Sequence, residues 1–309
     1  MMGFRTSTCF ALLLASSSCT NQPGQWRPQP VSGATEPSEV IARSTASDWQ
    51  EIAPEDLLVM DLGDNSRIVI QLAPGFAPVH VANVRAFARG RWWNNATIYR
   101  VQDNYVVQWG NGEAEVPLPA GVVRTPPAEY DQPAQRGGVR AHIAPDSYAA
   151  SVGFHDGWAI AWDEAEGRRW LVHCYGTVGV GRDLAPDTGT GGELYAVIGH
   201  GPRHLDRNIA NVGRVVDGMG ALAARPRGTG NLGFYQVERG ERPIPIARIR
   251  VAADMPEAER PRFEVMRTDS EAFGRYLTGR ANRGGTFFNR PAGGVDICNA
   301  PVPVRRKAG

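Results

Sequence analysis

Neither sign of charge dominates this chain: 33 lysines and arginines face 32 acidic residues over 309 positions, for a formal net charge of +1. Nucleic-acid binding draws on a basic face that displaces counterions from phosphates. The one basic cluster here is terminal, Arg305, Arg306 and Lys307, so no nucleic-acid partner is expected. Long apolar runs are scarce too. The N-terminal run CFALLLA, residues 9–15, falls well short of the ~20 residues that cross a bilayer. No Gly-x-Ser-x-Gly elbow of a hydrolase is present. No Gly-Lys-Ser/Thr follows the glycines of GVGRDLAPDTGTGGE, residues 179–193, so a phosphate cradle is not indicated. His200 and His204 have metal-ligand spacing, but Gly201-Pro202 between them favours a turn and no acid or cysteine pattern completes a site. Neither metal nor cofactor is called for. Internal repeats are also lacking.

Glycine (36) and proline (23) are abundant. They interrupt helices and punctuate turns, which suits a loop-rich, mainly β protein. With 42% hydrophobic residues the chain can bury a sizeable core, as one main domain with appendages.

The start reads as an export signal over residues 1–19: Arg5, the apolar run, then Ser16, Ser17 and Ser18. Cys19 follows directly and offers a lipidation point, although Ser16 stands where a lipoprotein signal usually has an apolar residue. Simple secretion and a lipid anchor both remain open, and an N-terminal lipid would be the only membrane attachment. Either route gives a periplasmic or secreted protein. Cys174 and Cys298 are then the cysteines of the folded part; an oxidising compartment permits them to pair, and separate burial is the alternative.

Residues 20–53, rich in Pro, Ser, Thr and Gln, read as a flexible spacer, with order beginning near Pro54. LLVMDL (57–62) and RIVIQL (67–72) flank a Gly-Asp-Asn-Ser turn and predict a hairpin with Ile68, Ile70 and Leu72 on one buried face. Pro78 opens a helix carrying Val81, Val84 and Phe87, and Gly90 offers a left-handed stop. Residues 113–149 read as a long surface loop. Trp158–Trp162 and Arg169–Cys174 predict a second hairpin with Trp158 and Trp170 as packing anchors, and IPIARIRV (244–251) predicts a closing strand. Residues 252–309, with a short strand at 263–266 and a Ser270-capped helix bearing Phe273, Tyr276 and Leu277, are too few for their own core and read as an extension docking on residues 54–251.

Two segments in the same order resemble the cyclophilin-type peptidyl-prolyl cis/trans isomerases: RIVIQLAPGFAPVHVANVRAFARGRWWNNATIYRVQDNYVVQ (67–108) and GGELYAVIGHGPRHLDRNIANVGRVVDGM (191–219). The resemblance implies a closed eight-stranded antiparallel barrel capped by helices, with an inserted loop and hairpin and a C-terminal extension. It also implies an isomerase that acts on Xaa-Pro bonds of proline-containing client polypeptides. The chemistry requires only that amide resonance be weakened against a barrier of ~18–20 kcal/mol. A hydrogen bond to the prolyl nitrogen achieves this while an apolar pocket holds the ring. Arg100 matches the family's donor, and Gln108 its groove glutamine. Taken without those flanking matches, Arg100 would be a surface strand residue paired with an acid.

The pocket departs from the family pattern. Counted without gaps, Leu194 stands for the groove glutamine, Ala196 for the pocket phenylalanine and Ile209 for the pocket histidine. Tyr105 replaces the other phenylalanine, Val106 a methionine, and His204 a common aromatic; Leu205 is unchanged. An aromatic wall is worth ~1.5–3 kcal/mol, or roughly one to two decades of affinity. This count therefore predicts weakened turnover, or alternatively a binding module or chaperone on the same fold that no longer catalyses.

Overall fold

The computed structural model describes residues 30–111, 117–134, 146–200 and 202–307. Helix α1 (Pro37–Arg43) and strand β1 (Trp49–Glu51) precede the hairpin β2 (Leu57–Leu62) and β3 (Arg67–Leu72). Helix α2 (Pro78–Arg89) leads into β4 (Thr97–Val101) and β5 (Val106–Gly110). An inserted group follows: β6 (Gln132–Pro133), β7 (Ser151–His155), β8 (Trp158–Asp163) and β9 (Arg168–Leu171). Then come β10 (Thr177–Val180), β11 (Leu194–Val197), β12 (Asn211–Asp217), α3 (Met219–Ala223) and β13 (Ile244–Val251). The chain finishes with β14 (Phe263–Met266), α4 (Glu271–Ala281) and β15 (Val304–Arg306).

Eight strands close an antiparallel barrel in the order β10, β11, β5, β4, β13, β2, β3, β12. Closure leaves no open edge in this sheet, because β10 pairs with both β11 and β12. Alternation along the strands decides what fills it. Leu58, Met60 and Leu62 on β2, with Ile68, Ile70 and Leu72 on β3, point into one core shared with Val81, Val84 and Phe87 of α2. Pro78 is the first residue of α2, where its missing N–H costs nothing. Gly90 is not the left-handed stop, since its φ is −74°; Arg91, at φ 54°, takes that conformation instead. Gly90 is needed for space, because a Cβ there would come within 2.6 Å of Pro119.

The outer residues of the first hairpin, Leu57, Val59 and Val69, are buried as well. They belong to a second core with Val40, Trp49, Ile52, Phe263, Phe273, Tyr276 and Leu277. Both faces of β2 and β3 are thus covered, which explains two nearly unbroken apolar runs. The expected spacer over 20–53 needs correction: residues 20–29 lie outside the described residues, while α1 packs against α4 and β1 pairs with β14. Val40, Trp49 and Ile52 supply that docking, too few apolar residues to stand out against the polar composition around them. β1, β14 and β15 form one three-stranded sheet, so the segments before and after the barrel are a single structure.

β6, β9, β8 and β7 form a four-stranded sheet beside the barrel. Its second hairpin has the expected turn, although the strand ends at Leu171 rather than Cys174. Cys174 and Cys298 are joined by a disulfide, which ties the segment between insert and barrel to the C-terminal extension. Of the long loop expected over 113–149, residues 113–116 and 135–145 lie outside the described residues, as does the leader with Cys19.

Candidate active site

β4 and β5 are paired with Arg100 opposite Gln108 and Ile98 opposite Trp109, so Tyr99 is an extra residue on β4. Such a bulge turns neighbouring side chains toward the same side. Tyr99, Arg100 and Gln108 accordingly form one chain on the outer face of the barrel. Arg100 Nη1 donates to Gln108 Oε1 at 2.9 Å, Gln108 Nε2 donates to the Tyr99 hydroxyl at 2.6 Å, and Tyr99 donates to Glu193 Oε2 at 2.7 Å. Burial, followed by the Glu193 carboxylate, pushes the Tyr99 hydroxyl far above the ordinary tyrosine range, so it stays a donor. Glu193 also accepts from the backbone N–H of Asn111 at 2.9 Å. Only a glycine at position 110 permits this, since a Cβ there would sit 1.9 Å from the Glu193 carboxylate.

The Arg100 guanidinium is half-buried, and burial lowers its pKa without threatening its charge. Besides Gln108 it donates to Gln102 Oε1 at 2.5 Å and, through Nε, to the Leu232 carbonyl at 2.8 Å. These acceptors are two amides and a carbonyl, so none of them neutralises the cation. They use three of the five N–H groups that a guanidinium carries. Its Cζ lies 5.9 Å from the Tyr105 ring centre and 5.4 Å from that of Phe234, within cation–π range of both.

Beside Arg100 an apolar wall is assembled from Val106, Tyr195 and Val197, fully buried, with Tyr105, Leu205 and Ile209 half-buried against them. His204 stacks on Tyr105, with Nε2 3.2 Å from the Tyr105 hydroxyl. Tyr105, Val106, His204, Leu205 and Ile209 are thus brought together as the sequence count proposed.

Leu194 and Ala196 are not. Register places Tyr195 opposite Gln108 and Ala196 opposite Val107. Opposed residues share a face, so Tyr195 joins Gln108 outside while Leu194 and Ala196 enter the barrel core with Val107 and Trp109. The ungapped count spans the segment between β11 and β12, and a one-residue difference there exchanges every face on β11. Parity within the β5–β11 pair is the signal that would have found Tyr195 and Glu193.

Behind Tyr195 lies a second buried chain. His173 is fully buried, with Nδ1 2.9 Å from Asp206 Oδ1 and Nε2 2.9 Å from the Tyr195 hydroxyl. A carboxylate can only accept, so Nδ1 carries the proton and Nε2 accepts from Tyr195, whose pKa burial raises well above normal. Asp206 also accepts from His173 N–H and from Arg203 Nε, at 2.9 and 2.7 Å. No sequence pattern pointed to His173.

The model of the cyclophilin type peptidyl-prolyl cis-trans isomerase family matches residues 57–251, all eight barrel strands included. The chain belongs to that family. Among solved structures, cyclophilin AquaCyp293 from Hirschia baltica is similar at a TM-score of 0.65 and 21% identity, covering 87% of this chain and 96% of that one. At that identity the likeness concerns the cyclophilin fold. A Cryptosporidium parvum cyclophilin type peptidyl-prolyl cis-trans isomerase, crystallised in the presence of the dipeptide Ala-Pro, gives a TM-score of 0.39 at 12% identity over 63% of this chain and 98% of that one. No curated protein matches the sequence. Coverage of 87% by AquaCyp293 exceeds the span of the family model, so that cyclophilin shares part of the structure outside residues 57–251.

Proposed function

We propose that this chain is a peptidyl-prolyl cis/trans isomerase of extracytoplasmic proteins. The supporting observation is an uncompensated guanidinium, Arg100, held by Gln108 and set beside an apolar wall. In this reading the ring of a substrate proline packs on Tyr105, Val106, Tyr195, Leu205 and Ile209. An N–H of Arg100 left over from its internal bonds donates to the prolyl nitrogen as the amide twists and its lone pair localises. Gln108 keeps the guanidinium in place, and its own amide is oriented by Tyr99 and Glu193. The reaction involves no covalent step.

The expectation of weakened turnover rested on Ala196 as a missing aromatic. With Tyr195 in that place the wall keeps an aromatic ring, and Val106 and Ile209 keep it apolar, so the non-catalytic binding module loses its main ground. An extracytoplasmic site is supported by the Cys174–Cys298 disulfide, since such bonds persist in oxidising compartments, and by the leader-like N-terminal sequence. A protease-coupled assay on proline peptides tests the proposal. The native chain should raise the isomerisation rate above background, and Arg100→Ala should lower kcat/KM by ~10–100-fold, the worth of one charge-assisted hydrogen bond. A native rate indistinguishable from background overturns it.

A further inference from the structure

The segment between α3 and β13 is bound tightly to the site. Phe234 forms an antiparallel bridge with Arg100, Tyr235 N–H donates to the Tyr99 carbonyl at 3.0 Å, and Gly228 N–H donates to the Val101 carbonyl at 3.0 Å. Gly233, at φ +81°, lies so close to β4 that a Cβ would stand 2.6 Å from the Cα of Gln102. The Glu241 carboxylate fastens the segment internally, accepting from Gln236 N–H at 2.8 Å and Thr229 N–H at 3.1 Å. Leu232 adopts a left-handed backbone, φ 55°, that is unfavourable for its side chain, and in doing so its carbonyl meets Arg100 Nε.

A segment so well tied down nevertheless leaves its large apolar side chains in solvent: Leu232 is 54% exposed, Phe234 42% and Val237 64%. The Phe234 ring stacks on Tyr99 at 5.9 Å and flanks the guanidinium. Tyr105 flanks that same guanidinium from the other side, so the Phe234 ring continues the apolar lining past Arg100, with exposed Leu232 two residues before it. An exposed apolar patch continuous with a binding groove is a recognition surface.

We propose that Leu232 and Phe234 form an apolar subsite for a side chain next to the substrate proline. The preferred clients are then extended segments in which proline has a large apolar or aromatic neighbour. This rests on the isomerase reading of the same groove. A proline ring lodged against Tyr105 and Tyr195 leaves its chain neighbour crossing Arg100, where Leu232 and Phe234 wait with no competing charge of their own. A glycine neighbour gains nothing there.

Two peptide series test it, one varying the residue before proline and one the residue after, each through Gly, Asp, Leu and Phe. Turnover and, in parallel, peptide affinity by calorimetry are measured for the native chain, Leu232→Ser and Phe234→Ala. At least one series should favour Leu or Phe over Gly by about tenfold, the worth of one buried apolar side chain. That ratio should fall toward unity in both variants. Flat preferences in both series, or a ratio that survives both substitutions, overturn the subsite, even where a shifted Arg100 lowers every rate together. Affinity reports on the subsite without turnover, so a native chain that binds with the stated preference but does not catalyse overturns the isomerase reading alone.

Discussion

Arg100 illustrates how one residue acquires its role from its neighbours. Its guanidinium is fixed by amide and carbonyl acceptors, which orient it without cancelling its charge. A lysine could hold the charge but not the fork, so Arg100→Lys should not rescue Arg100→Ala. His173 works through Tyr195. In His173→Phe the buried Tyr195 hydroxyl loses its acceptor, at a cost of ~1–3 kcal/mol. The Tyr195 ring, part of the proposed proline wall, is then free to shift. The expected result is a rise of about tenfold in KM with kcat little changed. Combining it with Tyr195→Phe, which removes the orphaned donor, should restore KM. Unchanged KM in the single variant, or no rescue in the double, contradicts this positioning role. Arg100 and Gln108 were legible in the sequence because they sit on two strands joined by a short turn, where counting cannot drift. Tyr195 was hidden because the ungapped count runs through a longer connection, whose length the barrel does not fix. His173 left no trace at all: a lone histidine meets its aspartate and tyrosine only when three separate elements converge.

Helix α2 depends on a distant loop. It has no side-chain cap of its own, since Ala77 occupies that position. Glu129 substitutes, accepting from the backbone N–H groups of Val79 and His80 at 2.9 Å each and from His80 Nδ1 at 2.6 Å. Burial pushes the Glu129 carboxyl up, but the bonds from His80 and Val79 outweigh it, and its pKa is held below the ordinary range. A depressed carboxyl stabilises the fold fully above its unfolded value of about 4.3, and loses that contribution as pH falls through the folded value. Glu129→Gln should therefore cost about 1 kcal/mol at neutral pH, as loss of a helix cap does. In urea titrations the gap between native and variant should close on acidification. A gap that stays constant or widens toward low pH would show that the carboxylate is not the cap. The hairpins, α2, α4 and β13 were legible from periodicity and turn chemistry. α1 and β1 were not, because a short helix and a three-residue strand carry their docking on isolated residues such as Val40 and Trp49.

Among the described residues the molecule is a cyclophilin barrel wrapped on its outer side by the segments just before and after it. Apolar residues on the outward face of β2 and β3 are the sequence sign of that wrapping, for Leu57, Val59 and Val69 find partners beyond the barrel. The Cys174–Cys298 bond closes a sequence separation of 124 residues between barrel and extension. Constraint of the unfolded chain over so long a loop typically contributes about 2–4 kcal/mol. Cys298→Ser, or the native chain in reductant, should lower the urea midpoint accordingly, and identical midpoints would contradict this. The proposed proline groove lies on the opposite face of the barrel. Exchange NMR on a peptide with resolved cis and trans proline signals tests it most directly. The account predicts exchange cross-peaks when the native protein is present at a small fraction of the peptide concentration, and their loss with Arg100→Ala. A native protein that produces no exchange, or cross-peaks that persist unchanged in the variant, would contradict it.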